Sequence, residues 1–339
     1  MPVDCEPGCT LRENEIRPAE YQQEQERLFR RDVERMMARA NEFQPRSCPA
    51  CDSSHCSPAF EKYAMRFVRC LECRTVYANP APTPELIRAY YAASENYRFW
   101  ATHIFPATEE VRRKRIFQPR VDLLQSLCQE FDVERGLMME IGPGFGTFCE
   151  EVRSRGLFAE VVPVEPTPEL ADVLAQKGFS VDRRFIEDID DQELADAIVA
   201  FEVIEHILDP KGFIARCRRL LRPGGLLVLT APNGDGFETL TLQQHSPAVD
   251  IEHLTLFNLP SLGGVLQRHG FEVVLKNTPG VLDLDIVLNR LEQNSELARD
   301  NPFWEYVRCH GGPQVRESFQ AFLSHHNLSS NLMIAGRRT

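Results

Sequence analysis

Three glycines at alternate positions, Gly142, Gly144 and Gly146, follow a short apolar run that ends just after Glu140. A tight backbone turn needs glycine, because a Cβ atom would clash with the returning chain or with a ligand lying against it. Such a turn between a buried strand and a helix N-terminus is where α/β sheets bind nucleotide-like cofactors. Glu165, 19 residues beyond Gly146, could accept hydrogen bonds from ribose hydroxyl groups. The pattern therefore predicts a cofactor with a ribose at this turn.

Four cysteines form two Cys-x-x-Cys pairs separated by 18 residues: Cys48, Cys51, Cys70 and Cys73. This spacing is typical of a zinc ribbon, in which each pair supplies two thiolates to one ion and the spacer forms a hairpin. His55 and Cys56 lie in the spacer and are alternative ligands. A closed set of four thiolates leaves no open coordination position, so we predict that this zinc is structural.

The elements that must hold these residues alternate between strands and helices from residue 137 onward. This alternation predicts an α/β fold with a parallel sheet. The predicted strands span residues 137–141, 159–165, 179–182, 196–201, 226–231, 271–276 and 331–337. Residues 278–328 are expected to be irregular and partly helical, because they are rich in Asn, His and acids and show no sustained period.

The first third of the chain is predicted to be helical on either side of the cysteine pairs. Apolar residues recur at three-to-four spacing over about 18–43, which indicates an amphipathic helix that packs on another domain or, alternatively, on a second subunit as a homodimer. Residues 107–130 are also predicted to be helical, with a kink or break at Pro119. We predict four parts: a helical arm over 1–45, a zinc ribbon over 46–80, a helical connector or cap over 81–134, and a cofactor-binding domain over 135–339 with an insertion at about 278–328.

The composition argues against two classes of binding partner, nucleic acids and membranes. The chain of 339 residues has 38 basic and 50 acidic side chains, a net charge of −12, which argues against a nucleic-acid backbone as the main partner. No apolar run approaches the roughly 20 residues that cross a bilayer, and the N-terminus lacks a signal pattern, so we expect a cytoplasmic protein with no membrane partner. The odd count of 11 cysteines favours metal ligands and buried thiols over disulfides.

Five features occur in order at suitable intervals: Glu140-x-Gly142-x-Gly144-x-Gly146, Glu165, Phe-Glu-Val-Ile-Glu-His over 201–206, Arg-Pro-Gly-Gly over 222–225, and Pro232-Asn233. Together they resemble the class I S-adenosylmethionine-dependent methyltransferases over about residues 135–276 plus the last strand. The resemblance implies a Rossmann-like sheet of seven strands in the order 3-2-1-4-5-7-6, with the seventh antiparallel. The cysteine pairs and the Pro-rich connector after them resemble a bacterial subgroup with an N-terminal zinc ribbon.

The resemblance also implies which residues bind S-adenosylmethionine: Glu140, Gly142, Gly144, Gly146, Glu165 and Phe201. The glycine backbone would approach the methionine part, and Glu140 would fix the loop or meet the amino group. Glu165 would hold the ribose, and Phe201 would contact the methionine moiety. An acid at position 187 or 188 would lie near the adenine.

Two histidines, His206 and His253, are the candidate general bases, since a hydroxyl or acidic C–H nucleophile must lose a proton during methyl transfer. Their positions in the implied fold place both near the acceptor. The alternative is that one or both are packed histidines bonded to backbone. Glu202 and Glu205 could instead join His206 in binding a metal such as Mg²⁺, although adjacent side chains point in different directions on most backbones.

The resulting prediction is a methyltransferase that acts on an oxygen, or less favourably a carbon, of a small-molecule or sugar-containing acceptor. One alternative is a non-catalytic interaction protein built on a degenerate cofactor fold and a zinc ribbon. A second is an enzyme like the sugar C-methyltransferases, which share a similar ribbon but usually carry a further C-terminal domain that this chain is too short to hold. A nicotinamide oxidoreductase is disfavoured, because its fingerprint is Gly-x-Gly-x-x-Gly and this chain has Gly-x-Gly-x-Gly.

Overall fold

The computed structural model describes residues 11–190 and 192–339. The described strands are β1 Cys56–Lys62, β2 Met65–Cys70, β3 Val76–Ala78, β4 Leu137–Ile141, β5 Glu160–Val164, β6 Ala195–Phe201, β7 Leu221–Pro232, β8 Thr255–Leu256, β9 Phe271–Asn277 and β10 Asn331–Arg338. The described α-helices are α1 Glu13–Ile16, α2 Ala19–Met37, α3 Pro84–Ala93, α4 Glu95–Phe99, α5 Phe105–Arg112, α6 Gln118–Glu130, α7 Thr147–Ser154, α8 Pro168–Gln176, α9 Pro210–Leu220, α10 Phe237–Leu242, α11 Leu259–Arg268, α12 Asp283–Gln293, α13 Ser295–Asp300, α14 Pro302–His310 and α15 Pro313–His325.

The main sheet has six strands in the order β5-β4-β6-β7-β10-β9. The first four are parallel, and β10 runs antiparallel between β7 and β9. Every residue of β6 is buried, since this central strand has helices on both faces. One face packs against α9 and α11 and the other against α6, α7 and α8. The α/β class and the strand order expected for a methyltransferase sheet are confirmed for these six strands.

The predicted strand over 179–182 is wrong as a strand. The structure retains only a single parallel bridge between Val164 and Asp182 at this edge of the sheet. Asp182 donates its amide to the Pro163 carbonyl and accepts from the Glu165 amide, but the next rung would need an amide hydrogen from Pro163. Because proline has none, the ladder stops after one rung.

A second sheet connects the cysteine-rich segment to the rest of the chain. Its order is β1-β2-β3-β8, and the two residues of β8 come from the segment that follows His253. Arg46 spans the junction: its guanidinium donates to the carbonyls of Ala78 (3.1 Å) and Leu254 (2.6 Å) and to Thr255 Oγ1 (3.2 Å). This pairing was not predicted, because a two-residue strand has no detectable period.

The N-terminal helix α2 buries its apolar face within the chain. Phe29, Val33 and Met36 pack in one cluster with Met65 and Phe67 of the hairpin β1–β2. The interpretation as an arm packed on another part of the protein therefore accounts for this face, whereas the homodimer stays untested. The division into four parts also stays a prediction.

The helical connector runs from α4 to α6 with two wider π turns, at Trp100–Ile104 and Arg113–Phe117. Each π turn is followed within two residues by a proline, Pro106 or Pro119, which lacks the amide hydrogen for an α-helical bond. The helical direction continues through Pro119, so the irregularity predicted there takes the form of a π turn.

The segment 278–328 is more regular than predicted, because it folds into the four helices α12 to α15. Leu284, Val287, Leu288 and Leu291 of α12 form their core, against which Phe237 and Trp304 pack. Asn294 caps α13 and prolines open α14 and α15, so short helices interrupted by cap residues obscure the period.

Candidate cofactor and acceptor site

A large cavity of about 2910 Å³ lies at the carboxyl ends of β4, β5 and β6. Residues of helices α2 to α6, of the segment 244–253 and of helix α12 also line it. This edge is where open parallel sheets bind ligands. The volume is larger than that of a typical single-ligand pocket, about 300–1,000 Å³, so cofactor and acceptor could occupy it together.

The three predicted glycines differ in their surroundings. All have positive φ: +65° at Gly142, +53° at Gly144 and +75° at Gly146. A Cβ on Gly144 would have no heavy atom within 4 Å, so this glycine faces open space in the cavity. A Cβ on Gly146 would lie 2.4 Å from Leu174 Cδ2, and Gly146 does not border the cavity. Gly146 therefore serves close packing of α8 under the turn, whereas Gly142 and Gly144 border the ligand space.

Glu140 is the last but one residue of β4, is buried, and borders the same cavity. Its carboxylate accepts a hydrogen bond from the Cys149 thiol (2.8 Å). Burial raises the pKa of Glu140 to about 8, and the Cys149 bond and the nearby Arg120 charge only partly oppose this shift. A residue in this state can exchange a proton near neutral pH or meet a cationic group of a ligand. The contact with Cys149 was not predicted.

Glu165 lies just beyond the end of β5, across from the glycine turn, and is 4% exposed. Its Oε1 accepts from the Thr167 amide (2.8 Å) at the start of α8, which fixes the carboxylate at the cavity wall. Burial raises the pKa of Glu165, and the Thr167 bond only partly opposes this. Tyr97 of α4 also lines the cavity. Burial raises the pKa of its hydroxyl, and the charge of Glu165 adds to this shift.

Phe201 ends β6 and is held between an aromatic ring and a guanidinium. Its ring makes an edge contact with Phe148 (centroids 4.9 Å apart), and Arg120 lies 4.6 Å from its centroid. Arg120 also pairs with Glu202 (3.6 Å). Both Phe201 and Arg120 line the cavity, so a largely buried cation lies beside the position expected for the methionine moiety.

The two predicted histidines are brought together. The ring centroids of His206 and His253 are 4.7 Å apart, and each side chain is about one-fifth exposed. His206 Nδ1 lies 2.9 Å from the Tyr91 hydroxyl, and His253 Nδ1 lies 2.8 Å from the Ala248 carbonyl. Tyr91 comes from α3 in the connector, and its role was not predicted beyond its place on one helix face with Tyr90.

The two rings have opposite protonation preferences. Burial lowers the pKa of His206 well below its usual value, and the charge of His253 adds to this effect. Burial also disfavours a charge on His253, but the carboxylates of Asp250 and Glu205 outweigh it and raise its pKa to about 9. At neutral pH this electrostatic environment favours a neutral His206 beside a protonated His253.

The carboxylate of Glu205 is fully buried beside the histidine pair. Its Oε1 lies 3.9 Å from His206 Nε2. Burial raises the pKa of Glu205 well above its usual value, and the neighbouring charge of Glu202 reinforces the shift. Glu202 itself turns elsewhere and accepts from Thr230 Oγ1 (2.6 Å). The predicted Glu202–Glu205–His206 set is therefore not assembled, because Glu202 lies apart from the other two.

The four predicted zinc ligands do come together. All four sulfur atoms lie within 4.8 Å of one another, and Cys48–Cys73 and Cys51–Cys70 are each 3.5 Å apart. Four thiolates around one tetrahedral zinc, with Zn–S bonds of about 2.3 Å, would be about 3.8 Å apart. The cluster therefore has the dimensions of a zinc site. His55 and Cys56 are not part of it.

Of the two acids predicted to lie near the adenine, Glu187 lines the cavity and Asp188 does not. Glu187 is therefore the acid that lies beside the expected adenine position. No helix in the described ranges combines the length and apolar character that a bilayer span requires.

Comparison with known proteins identifies relatives for part of the chain. Residues 110–276, just under half of the chain, match a family model described as "Methyltransferase domain". The ubiquinone biosynthesis O-methyltransferase of Bradyrhizobium sp. (strain ORS 278) is 40% identical over 102 residues, which cover 28% of this chain and 40% of that protein. The protein of the same name from Rhodopseudomonas palustris (strain TIE-1) is 35% identical over 102 residues, with the same shares. The chain thus spans about two fifths of the length of these curated relatives.

Among solved structures, phosphoethanolamine N-methyltransferase 2 of Haemonchus contortus in complex with S-adenosyl-L-methionine is similar at 18% identity and a TM-score of 0.42. The match covers 61% of this chain and 49% of that one. The family model covers the glycine turn, Glu165, the 201–206 segment and the two histidines. Residues 110–276 therefore match a methyltransferase domain, in agreement with the resemblance to the class I S-adenosylmethionine-dependent methyltransferases.

Proposed function

We propose that this protein transfers a methyl group from S-adenosylmethionine to an oxygen atom of a small-molecule or sugar-containing acceptor. The observation that carries the proposal is that the glycine turn, Glu165 and the two histidines border one cavity. A cofactor site and a proton-accepting group must share a cavity if a hydroxyl group is to be methylated.

The residues around the turn fit S-adenosylmethionine. Gly144 leaves room for a ligand against the backbone, whereas the corresponding space at Gly142 is filled by the Val203 side chain. Glu165 presents a buried carboxylate to which ribose hydroxyls could donate. Glu140 and Phe201 border the space between the turn and β6, where the methionine part would lie. The bound cofactor supplies a methyl group already activated by a positive sulfur. Alignment of the acceptor is therefore the protein's main task.

His206 and His253 are the groups proposed to handle the acceptor proton. The neutral His206 could accept a proton through Nε2 in the tautomer whose Nδ1–H donates to the Tyr91 hydroxyl. The cationic His253 would stabilise the oxyanion that this transfer leaves on the acceptor. The two rings would then act on the same acceptor oxygen, one as base and one as electrostatic partner.

Oxygen is proposed over carbon because the similar proteins from Bradyrhizobium and Rhodopseudomonas are named O-methyltransferases. A carbon acceptor, as in the sugar C-methyltransferases, is the alternative within the same chemistry. The four-cysteine cluster is proposed to hold a structural Zn²⁺, since all of its ligand positions are filled by thiols of this chain.

The test has two stages. Isothermal titration calorimetry with S-adenosylhomocysteine measures cofactor binding, and transfer of radiolabelled methyl groups to fractionated cell extract measures activity. We expect saturable binding and label in a low-molecular-mass fraction. Absence of binding at millimolar ligand would refute the proposal. Binding without transfer to any fraction would favour the non-catalytic interaction protein.

A further inference from the structure

Glu238 is a buried carboxylate that the proposed chemistry leaves without a role. It is 3% exposed, and its Oε1 atom has no hydrogen-bond partner among the residues that the structure describes. It belongs to helix α10, apart from the glycine turn, and it lines the cavity. Buried polar atoms in folded proteins are almost always bonded, and an unpaired one costs free energy. A carboxylate in this position points to a ligand that donates the missing hydrogen bond.

Lys62, from the hairpin β1–β2, lines the same part of the cavity. In the described part of the chain its ammonium donates to one acceptor, the Ser246 carbonyl (2.7 Å), which leaves two of its three N–H groups for a ligand. Burial lowers the pKa of Lys62 to about 8, and the charges of Asp250 and Glu238 partly oppose this shift. Burial also raises the pKa of Glu238 to about 7, which a hydrogen bond from Ser246 partly opposes. A hydrogen-bond acceptor and a hydrogen-bond donor therefore adjoin Ser246 at one place in the cavity.

The arginines that neighbour this pair are already engaged by another carboxylate. Glu13 Oε1 lies 3.1 Å from Arg17 Nη1 and 3.5 Å from Arg290 Nη2. An anionic ligand would meet the charge of Glu238, and a cationic ligand would meet the charge of Lys62. A hydroxyl group is neutral and both donates and accepts hydrogen bonds, so it suits the two side chains together.

The pair lies within reach of the two histidines. Lys62 is held by the carbonyl of Ser246, and His253 lies 2.8 Å from the carbonyl of Ala248. These carbonyls are two residues apart, a separation of at most about 7 Å even in an extended chain. One small molecule could therefore contact the histidines and this pair at the same time. Lys62 lies outside residues 110–276, so the family match does not account for the pair.

We propose that Glu238 and Lys62 form a distal acceptor subsite that recognises hydroxyl groups of an uncharged polyhydroxylated molecule, such as a sugar ring. One hydroxyl group would donate to Glu238 Oε1, and the same or an adjacent one would accept from Lys62 Nζ. The inference rests on the proposed function, because it describes the part of the acceptor that lies away from the methylated atom. The two residues determine which acceptor binds and take no part in moving its proton.

Glu272 and Lys276 provide matched controls. Both belong to β9, are exposed and do not line the cavity. Glu272→Gln and Lys276→Met make the same chemical changes as Glu238→Gln and Lys62→Met, but away from the proposed subsite. A general effect of net charge on ligand binding would appear equally in the controls, whereas a built subsite would discriminate between the two pairs of variants.

The experiment measures binding of small sugars to the full chain by saturation-transfer NMR, with and without S-adenosylhomocysteine. The probes are the methyl glycosides of glucose, galactose, mannose and rhamnose, with glucuronate and glucosamine as anionic and cationic counterparts. We expect saturable binding of at least one neutral glycoside in preference to both charged sugars. Its affinity should fall by about 10-fold or more in Glu238→Gln and in Lys62→Met, and it should stay unchanged in the two controls.

Absence of binding by every neutral glycoside, or a preference for glucuronate or glucosamine, would overturn the subsite. Equal binding by the wild type and both subsite variants would overturn the assignment of Glu238 and Lys62. Circular dichroism checks that each variant is folded, and Lys62→Met decides the question if Glu238→Gln is not. Calorimetry with S-adenosylhomocysteine on the same samples separates the two proposals: cofactor binding without glycoside binding refutes only the subsite, and the reverse refutes only the transferase.

Discussion

Replacing Glu165 with glutamine tests the cofactor site most directly. The substitution keeps the shape of the side chain and removes the charge, and the Thr167 amide can still donate to the remaining oxygen. A hydrogen bond between a ribose hydroxyl and a carboxylate contributes roughly 1.5–3 kcal/mol. Loss of one such bond should therefore weaken S-adenosylhomocysteine binding by about 10- to 150-fold.

The assay is calorimetric titration of wild type, Glu165→Gln and Glu160→Gln. Glu160 begins the same strand β5 at its opposite end and is exposed, so its replacement changes the net charge equally without touching the cavity. We expect wild-type affinity for Glu160→Gln. A change of less than about twofold in Glu165→Gln, or an equal loss in both variants, would refute the assignment of Glu165 to the ribose.

The proposed hydrogen bond between the ribose and the Glu165 carboxylate also predicts that the affinity for S-adenosylhomocysteine depends on pH. Burial raises the pKa of Glu165, so its ionised form is lost at a higher pH than for an exposed glutamate. Because the ionised form is the better acceptor for hydroxyl groups, wild-type affinity should fall as the pH is lowered through the raised pKa. The affinity of Glu165→Gln should not show this decline, and a parallel decline in both proteins would contradict the explanation.

Three further predictions concern the turn and the ribbon. Gly146→Ala should lower the free energy of unfolding by roughly 2–4 kcal/mol in urea titrations, because it adds a clash with Leu174 to the strain of a positive φ. Gly144→Ala should lower it by only about 1 kcal/mol, because its Cβ would meet open space and only the strain of the positive φ remains. Cys48→Ser should lose the one zinc per chain that elemental analysis is expected to find in the wild type, with a lower melting temperature. Arg46→Ala should destabilise by about 3–5 kcal/mol in urea titrations, since the guanidinium donates to three buried acceptors, of which the Leu254 carbonyl keeps the Ala78 amide as a second donor. An effect below about 1 kcal/mol would contradict this.

The sequence predicted the parts of the fold that local patterns encode. Alternating glycines, the acid at the next strand end and the apolar runs located β4, β5 and β6 to within one or two residues. The order of the main sheet followed from the family resemblance rather than from the pattern. The edge strand failed because one imino acid, Pro163, removes a rung of the ladder, and a strand signal of four residues does not reveal its partner.

Contacts between distant segments account for most of what was missed at the site. Tyr91 reaches His206 across 115 positions of chain, and Cys149 reaches Glu140 from the following helix. Neither contact leaves a periodic or compositional signal. Glu202 was considered as a metal ligand together with Glu205 and His206, because spacing alone cannot show which way adjacent side chains point. In the structure it is His253, and not Glu202, that lies beside Glu205 and His206.

The pairing of β3 with β8 has a consequence for any attempt to shorten this protein. A chain that begins after residue 80 would leave the backbone of Thr255 and Leu256 as an unpaired edge, only two positions from His253. Exposed edges of this kind recruit strands from other molecules, so such a fragment should self-associate. Loss of the cysteine-rich segment would thus harm solubility and the acceptor side of the cavity at once, even though none of its four thiols lines that cavity.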